Sequence, residues 1–222
     1  MSKFAGGVLL KVIRFEKNKG LGVALRTAVE NCSHQFIARM DSDDIAVENR
    51  FEMQLKAFIS HPELSILGGQ IEEFISSLDD VVGKRKVPLA DAALKDYMRR
   101  RCPFNHMTVM FKKSDVLEVG NYQDWFWNED YYLWLRMAIN NMRFANLPEM
   151  LVHVRVGADM YQRRGGKKYF QSEKRLQDYM LEHKMISRGS YCMNILKRWV
   201  VQVALPNSVR GWVFRTFARS KR

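Results

Sequence analysis

Gln35-Phe36-Ile37-Ala38-Arg39-Met40-Asp41-Ser42-Asp43-Asp44 is a short apolar run that ends in three aspartates. The run reads as a buried strand, and carboxylates gathered at the mouth of a strand call for a cation. On an extended backbone residues two apart share a face, so Asp41 and Asp43 point into one site while Asp44 turns away or opens the next element. Oxygen-only ligands suit Mg²⁺ or Mn²⁺, metals typically held by one or two carboxylates together with substrate phosphates. The competing reading is an acidic turn that caps a helix beginning near Val47, because Asp is favoured at helix N-caps.

Outward from this stretch the chain alternates between strand and helix patterns. Val8 to Phe15 predicts a strand, and Glu16 to Gly22 a turn-forming loop. A helix follows with Val23, Leu25, Ala28 and Val29 as its apolar positions. Strand, helix and strand in this order form a crossover unit, which builds a parallel sheet with ligands at the carboxyl ends of its strands. Downstream, a helix runs from about Val47 to Ile59 and is broken at His61-Pro62. Ser65 to Phe74 reads as a further strand, Ser76 to Leu89 as an exposed connection and Leu94 to Arg101 as a helix. Met107 to Phe111 is a short strand, and Asp130 to Asn140 a strong helix with Leu133, Trp134, Met137 and Ile139 apolar. There is no internal repeat and no low-complexity segment.

A chain of 222 residues with 47% hydrophobic content forms one large domain, or a domain with an extension, around a real core. Cys32, Cys102 and Cys192 are odd in number and widely spaced, which argues against a disulfide framework or a zinc site and fits a reducing cytoplasm. Phe4 to Leu10 is too short to span a bilayer and is closed by Lys11. The net charge of +12 is unevenly placed: residues 1–154 carry 20 basic and 20 acidic side chains, and residues 155–222 carry 16 and 4. That asymmetry divides the chain into a core, 1–154, and a basic, mainly helical extension, 155–222, and it points to an anionic partner. Trp199, then Val209, Trp212, Val213 and Phe217 at helical intervals, with Arg215, Arg219 and Arg222 opposite, resemble an interfacial anchor on an anionic membrane surface. A nucleic-acid-binding module would also be basic and would bind with steep salt dependence. The neutral first 154 residues and the tryptophans beside the basic ones weigh against it, so no nucleic acid is expected.

Trp125-Phe126-Trp127-Asn128-Glu129-Asp130 is the second chemical candidate. A carboxylate at a helix N-terminus is stabilised in its ionised form by the helix dipole and free amides, which suits a general base. The adjacent tryptophans, Trp127 among them, offer an apolar platform for the face of a sugar. The competing reading is a capping acid beside core aromatics.

Asn18-Lys19-Gly20-Leu21-Gly22, then Ala38-Arg39-Met40-Asp41-Ser42-Asp43-Asp44-Ile45, then Asn49-Arg50-Phe51 and Gln54 resemble family 2 glycosyltransferases, whose α/β fold is the Rossmann-like GT-A type. Asn105-His106-Met107-Thr108-Val109, Gly120-Asn121-Tyr122 and Glu129-Asp130-Tyr131 continue the resemblance. Arg155-Val156-Gly157 through Arg163-Arg164-Gly165-Gly166 is similar to the bacterial branch that builds O-antigen, capsule and exopolysaccharide units. The resemblance implies an inverting transfer of sugar from a nucleotide-sugar donor to a lipid-linked saccharide acceptor, at the cytoplasmic face of the inner membrane. It implies Asp41 and Asp43 as ligands of Mn²⁺ or Mg²⁺ at the donor diphosphate, with Asp44 beside them. Asp130 becomes the base that deprotonates the acceptor hydroxyl, supported by Glu129. Asn18 and Gly20 fall near the nucleotide, His106 and Trp127 near the acceptor, and Arg163 or Arg164 within reach of the diphosphate.

The chain also departs from the family pattern. Family members usually begin with a strand-helix-strand unit for base and ribose, about thirty or more residues, that this sequence does not show. The expectation is a GT-A core truncated at its N-terminus. A catalytically inert remnant and a nucleotidyltransferase are the alternative readings among proteins with this acidic signature.

Overall fold

The computed structural model describes residues 10–157 and 166–205. In chain order the elements are α1 (Leu21–Asn31), β1 (Phe36–Ala38), β2 (Ile45–Ala46), α2 (Arg50–Ser60), β3 (Leu64–Phe74), β4 (Val81–Arg85) and α3 (Asp91–Met98). After a 3-10 turn at His106–Thr108 come β5 (Met110–Lys112), α4 (Lys113–Glu118), α5 (Glu129–Ile139), β6 (Arg143–Arg155), α6 (Lys167–Glu182) and α7 (Arg188–Trp199). A π-helical turn, Val200–Ala204, closes the described chain.

β3 is the spine of a mixed sheet of order β1-β5-β3-β6-β2, with β4 also paired to β3. Its first half pairs antiparallel with β5 through Ile66 and Leu67, and its second half pairs antiparallel with β4 from Ile71 to Phe74. Along its other side it runs parallel to β6, from Leu64 opposite Arg143 to Phe74 opposite Arg155. Nearly every residue of β3 is buried, as expected of a strand covered on both faces. The parallel sheet inferred from the crossover pattern is therefore corrected: among the described residues β3 with β6 is the parallel pair, and the other pairings are antiparallel.

Further sequence expectations change. Residues 10–15 form no strand. The run ending at Asp41 yields only the three-residue β1, paired on one side to β5 among the described residues, and Phe36 is 38% exposed. The short strand is still partly covered, Phe36 resting on Phe58 of α2 at 4.9 Å between ring centroids and Ile37 packing on the core. Ala28 of α1 is exposed, and the stretch read as an exposed connection, Ser76 to Leu89, contains β4. The Ser65 to Phe74 strand, the break at His61-Pro62 and the Asp130 to Asn140 helix stand where expected, within a residue or so.

α5 carries the core. Tyr131, Leu133, Trp134, Leu135 and Met137 are all buried, so the helix is covered on more than one face. Trp134 meets Phe104 edge to face at 5.5 Å between ring centroids, and Phe104 meets Phe144 of β6 in the same way at 5.5 Å, contacts worth about 0.5–1.5 kcal/mol each beyond their buried area. Leu176 and Met180 of α6 and Ile186 join the same cluster, so the described part of the basic extension helps to bury α5.

α1 is held against the turn that leads into α5. Nε of Arg26 donates to the Tyr122 carbonyl at 2.7 Å, and Nδ2 of Asn121 donates to the Arg26 carbonyl at 3.2 Å. Gly22 makes the approach close: a methyl group there would stand 2.7 Å from the carbonyl oxygen of Gln123. Since backbone cannot rotate away as a side chain can, Gly22→Ala is expected to lower stability by about 1–3 kcal/mol, read from urea unfolding. An unchanged midpoint would mean that α1 packs less closely than this geometry requires.

Candidate active site

The entrance to the acidic loop is pinned by backbone bonds and one buried charge. The Arg39 N–H donates to the Val109 carbonyl at 2.9 Å, and the Arg39 carbonyl accepts from Nη2 of Arg50 at 2.8 Å. Arg50, in the first turn of α2, is only 1% exposed. Its Nε donates to Oε1 of Gln54 at 3.1 Å, and Nε2 of Gln54 donates to the carbonyls of Leu67 at 3.1 Å and Thr108 at 2.8 Å. A charge at this depth is tolerable only when its donors are met. Burial first, and then the charge of Arg39, lower the Arg50 pKa to about 10, which leaves it positive at neutral pH.

The three aspartates have three different environments. Asp41 receives both terminal nitrogens of Arg39, at 2.8 and 2.5 Å. The Asp43 side chain is exposed, and its carbonyl accepts from Nε of Arg155 at 3.4 Å. Oδ1 of Asp44 accepts the Arg155 N–H at 3.0 Å, whereas Oδ2 is buried without a hydrogen-bond partner. Burial is the main cause that lifts the Asp44 carboxyl to about 6; the Arg155 N–H opposes it, and the charges of Asp41 and Asp43 add to the rise. A hard cation held by one or two carboxylates suits such a set of crowded oxygens with one unsatisfied. Among the described residues, no three His, Cys, Asp or Glu side chains converge into a ready-made metal cage.

The second acidic group stands at the start of α5. Oδ1 of Asp130 accepts the N–H of Tyr131 at 2.7 Å, and Oδ2 lies 3.7 Å from Sγ of Cys102 and 3.9 Å from Nδ1 of His106. Nε2 of His106 is 2.9 Å from the Tyr122 hydroxyl. Burial, followed by the charge of Arg39, holds His106 well below the usual imidazole range. The ring is therefore neutral, and its approach to Asp130 is not an ion pair. Glu129 is 6% exposed, and burial, then the charge of Asp130, raise its carboxyl to about 7. The charge of Arg39 is felt by Asp44, His106, Tyr122 and Glu129 alike.

The loop before α5 is tied down from α6. Oγ of Ser172 donates to the Phe126 carbonyl at 2.5 Å and accepts from Nδ2 of Asn128 at 3.0 Å, while Nε1 of Trp125 donates to the Ser172 carbonyl at 3.4 Å. Phe126 and Trp127 stack with ring centroids 5.0 Å apart and planes 9° from parallel, and Trp127 is 46% exposed. An open aromatic face thus stands beside the two carboxylates. Asn18 accepts the Gly20 N–H at 2.9 Å, and both line a cleft of about 370 Å³ with residues 12–17. Gly20 also lies close to Asp124, in the turn ahead of Glu129. Arg163 and Arg164 lie outside the described residues, as do Trp212 and the arginines beyond it. Arg39, Arg50 and Tyr122 lie in the segments that carry the family resemblance but receive no role from the sequence, and Ser172 is not singled out by it. Arg39 was within reach, since the rule that sets Asp41 and Asp43 on one face sets Arg39 there too.

Comparison with known proteins adds an independent line. A family model described as glycosyl transferase family 2 matches residues 2–118. An uncharacterized glycosyltransferase of Haemophilus influenzae is 38% identical over 221 residues, 99% of this chain and 81% of its own length. A UDP-Gal:alpha-D-GlcNAc-diphosphoundecaprenol beta-1,3-galactosyltransferase of Escherichia coli is 37% identical over 210 residues, 95% of this chain and 76% of its own. Among solved structures, the mannosyltransferase PcManGT of Pyrobaculum calidifontis, in complex with GDP-Man and Mn²⁺, superposes with a TM-score of 0.54 at 12% identity. That match covers 95% of this chain, which spans 58% of the solved one.

The raised Glu129 carboxyl has a thermodynamic signature. Between its ordinary pKa of 4.5 and about 7, the folded chain keeps a proton that the unfolded chain has released. This group's contribution to stability is therefore complete below pH 4.5 and is lost as pH rises through 7. Glu129→Gln, which cannot ionise, is expected to exceed the parent by roughly 1–3 kcal/mol at pH 8 and to lose that advantage at pH 4, measured by urea unfolding at both values. Parallel pH profiles for the two proteins would count against a buried, strained Glu129.

Proposed function

The chain belongs to glycosyl transferase family 2 and has the GT-A fold of that family; on this premise we propose that it is an inverting transferase of cell-surface polysaccharide synthesis. It moves a sugar from a nucleotide-sugar donor to a lipid-linked saccharide acceptor. The observation that carries this reading is the presence of two carboxylate groups of different character: the crowded acidic loop 41–44, where Arg39 holds Asp41 and Asp44 keeps a buried, unsatisfied oxygen, and the head of α5, where the Tyr131 N–H holds one oxygen of Asp130. The substrates named in the Escherichia coli relative, UDP-Gal and a diphosphoundecaprenol-linked GlcNAc, support the substrate class.

Asp41 and Asp43 would hold Mn²⁺ or Mg²⁺, with Asp44 beside them. Such a cation, when bound, offsets the charge that develops on the leaving nucleotide. Asp130 accepts the proton of the acceptor hydroxyl at Oδ2, the oxygen not committed to the Tyr131 N–H. His106, neutral and braced by the Tyr122 hydroxyl, keeps that oxygen in place without neutralising it. Glu129, close to half-protonated near neutral pH, supports Asp130 from the adjacent position. The stacked Phe126 and Trp127 receive the apolar face of the acceptor sugar and exclude water from it. Asn18 and Gly20 lie on the nucleotide side, and Arg163 or Arg164 reaches the diphosphate.

The acceptor lipid places the reaction at a membrane, at its cytoplasmic face where nucleotide sugars are made available. Among the described residues no helix is long and apolar enough to cross a bilayer. Met193, Leu196, Trp199 and Val200 of α7 and the following turn are exposed, with Lys197 beside them. Residues 206–222 add five basic side chains and no acidic one. Together these support peripheral attachment to an anionic surface.

The test is transfer from labelled UDP-sugars to a GlcNAc-diphospholipid acceptor, with the anomeric configuration of the product read by NMR. Asp130→Asn is expected to lower kcat roughly 10²–10⁴-fold with little change in KM, and Glu129→Gln to cost less. Retained activity in Asp130→Asn would move the base to Glu129, and a product that keeps the donor's anomeric configuration would refute single displacement. Removal of residues 206–222 is expected to reduce co-sedimentation with anionic vesicles while sparing folding. Unchanged sedimentation would refute attachment through the tail.

A further inference from the structure

We propose that Arg39 is a positioning residue that competes with the divalent cation for the carboxylate of Asp41. The inference rests on the assignment of Asp41 as a metal ligand made above. Both oxygens of Asp41 are taken by one guanidinium, at 2.8 and 2.5 Å. A planar fork matched to a carboxylate in this way takes one lone pair on each oxygen, the pair that a chelating cation would also use. A cation that binds Asp41 on that face therefore has to displace the guanidinium, while each oxygen keeps a further lone pair for a one-point contact.

The surroundings make the exchange local. The Arg39 backbone is fixed on both sides, by the Val109 carbonyl and by Arg50, so only the side chain has to change partner. The Asp41 side chain is 39% exposed, which leaves its carboxylate open to a cation arriving from solvent. Released from Asp41, the guanidinium has Glu129 and Asp44 within its field and need not leave the site. Asp44, with one oxygen already bonded to the Arg155 N–H and the other buried and unsatisfied, keeps an acidic wall in place throughout. The consequence is a free enzyme whose affinity for metal alone is held down by its own arginine.

The experiment measures binding of Mn²⁺ alone, without nucleotide, by the loss of the free-ion EPR signal. The parent chain is compared with Arg39→Lys, Asp41→Asn and the double variant. Lysine keeps the positive charge in the site and loses the two-pronged fork, so a change in affinity reports release of Asp41 rather than a change in the general field. Arg39→Lys is expected to bind Mn²⁺ about five- to tenfold more tightly than the parent, in line with the strength of charge-assisted bidentate pairs. In the Asp41→Asn background the same replacement should change the affinity less than about twofold, because nothing is left to release. Equal or weaker Mn²⁺ binding by Arg39→Lys, in a parent that does bind, overturns the inference. Absence of Mn²⁺ binding in every protein, with cooperative melts retained, overturns instead the metal assignment on which it rests. If Arg39→Lys does not fold, Arg39→Gln takes its place: it should tighten Mn²⁺ at least as much and lose that gain when Asp41 is Asn.

Discussion

A buried positive charge that has no carboxylate partner among the described residues organises this structure. Arg50 donates to Gln54, which is itself bonded to the carbonyls of Leu67 and Thr108. The terminal nitrogens of Arg50 go to the carbonyls of Arg39 and Val109 and to the sulfur of Met40. Through these two side chains α2, the spine strand β3, the 3-10 turn at His106–Thr108 and the mouth of β1 are held in a single register. Leaving such a donor unmet in the interior costs several kcal/mol, so the loop entrance is fixed more firmly than the short β1 could fix it. The loop that follows is then free to be crowded and strained, because its first residue cannot move.

That crowding is the physical character of the site. Asp44 and Glu129 are both raised by burial, with nearby carboxylates adding to the effect, and Arg39 is the positive charge that reaches each of them. Groups held away from their ordinary protonation lower the stability of the folded chain and are often found where binding or catalysis uses them. The core supplies what offsets this. α5 packs in one cluster with Phe144 of β6 and with Leu176 and Met180 of α6, so the helix whose first turn carries Glu129 and Asp130 is also a deeply packed one. Rigid placement of a base by a packed helix matters because small displacements of a reacting group are expensive in rate.

Much of this was legible in the sequence because it depends on local pattern. Pro62 marks the end of α2, the apolar positions Leu64, Ile66, Leu67, Ile71 and Phe74 mark β3, and the spacing of Leu133, Trp134 and Met137 marks α5. The joint order of the Asp41, His106 and Glu129 segments pointed to the family. Other elements were illegible for specific reasons. β6 carries Pro148 and Glu149 in its middle and is interrupted in register opposite Gly68 and Gln70, so neither alternation nor an unbroken apolar run announces it. β4 is mostly half-buried and contains Gly83, and it is fixed by pairing with the far half of β3. Ser172 looks like an ordinary helical serine until the fold brings it beneath Phe126 and Asn128.

The sequence by itself determined the chemistry on offer: oxygen ligands at 41–44, an acid at the head of a helix, aromatics beside it and a basic C-terminal third. Those are properties of residue type and short spacing, which survive without any tertiary contact. Only the tertiary structure decided what each acid does. Asp41, Asp43 and Asp44 are alike in sequence, but one is held by Arg39, one is open to solvent and one is half-satisfied and raised towards neutrality. The reason is that charge state and availability depend on burial and on partners brought from β5, β6 and α2, distances that no spacing along the chain encodes.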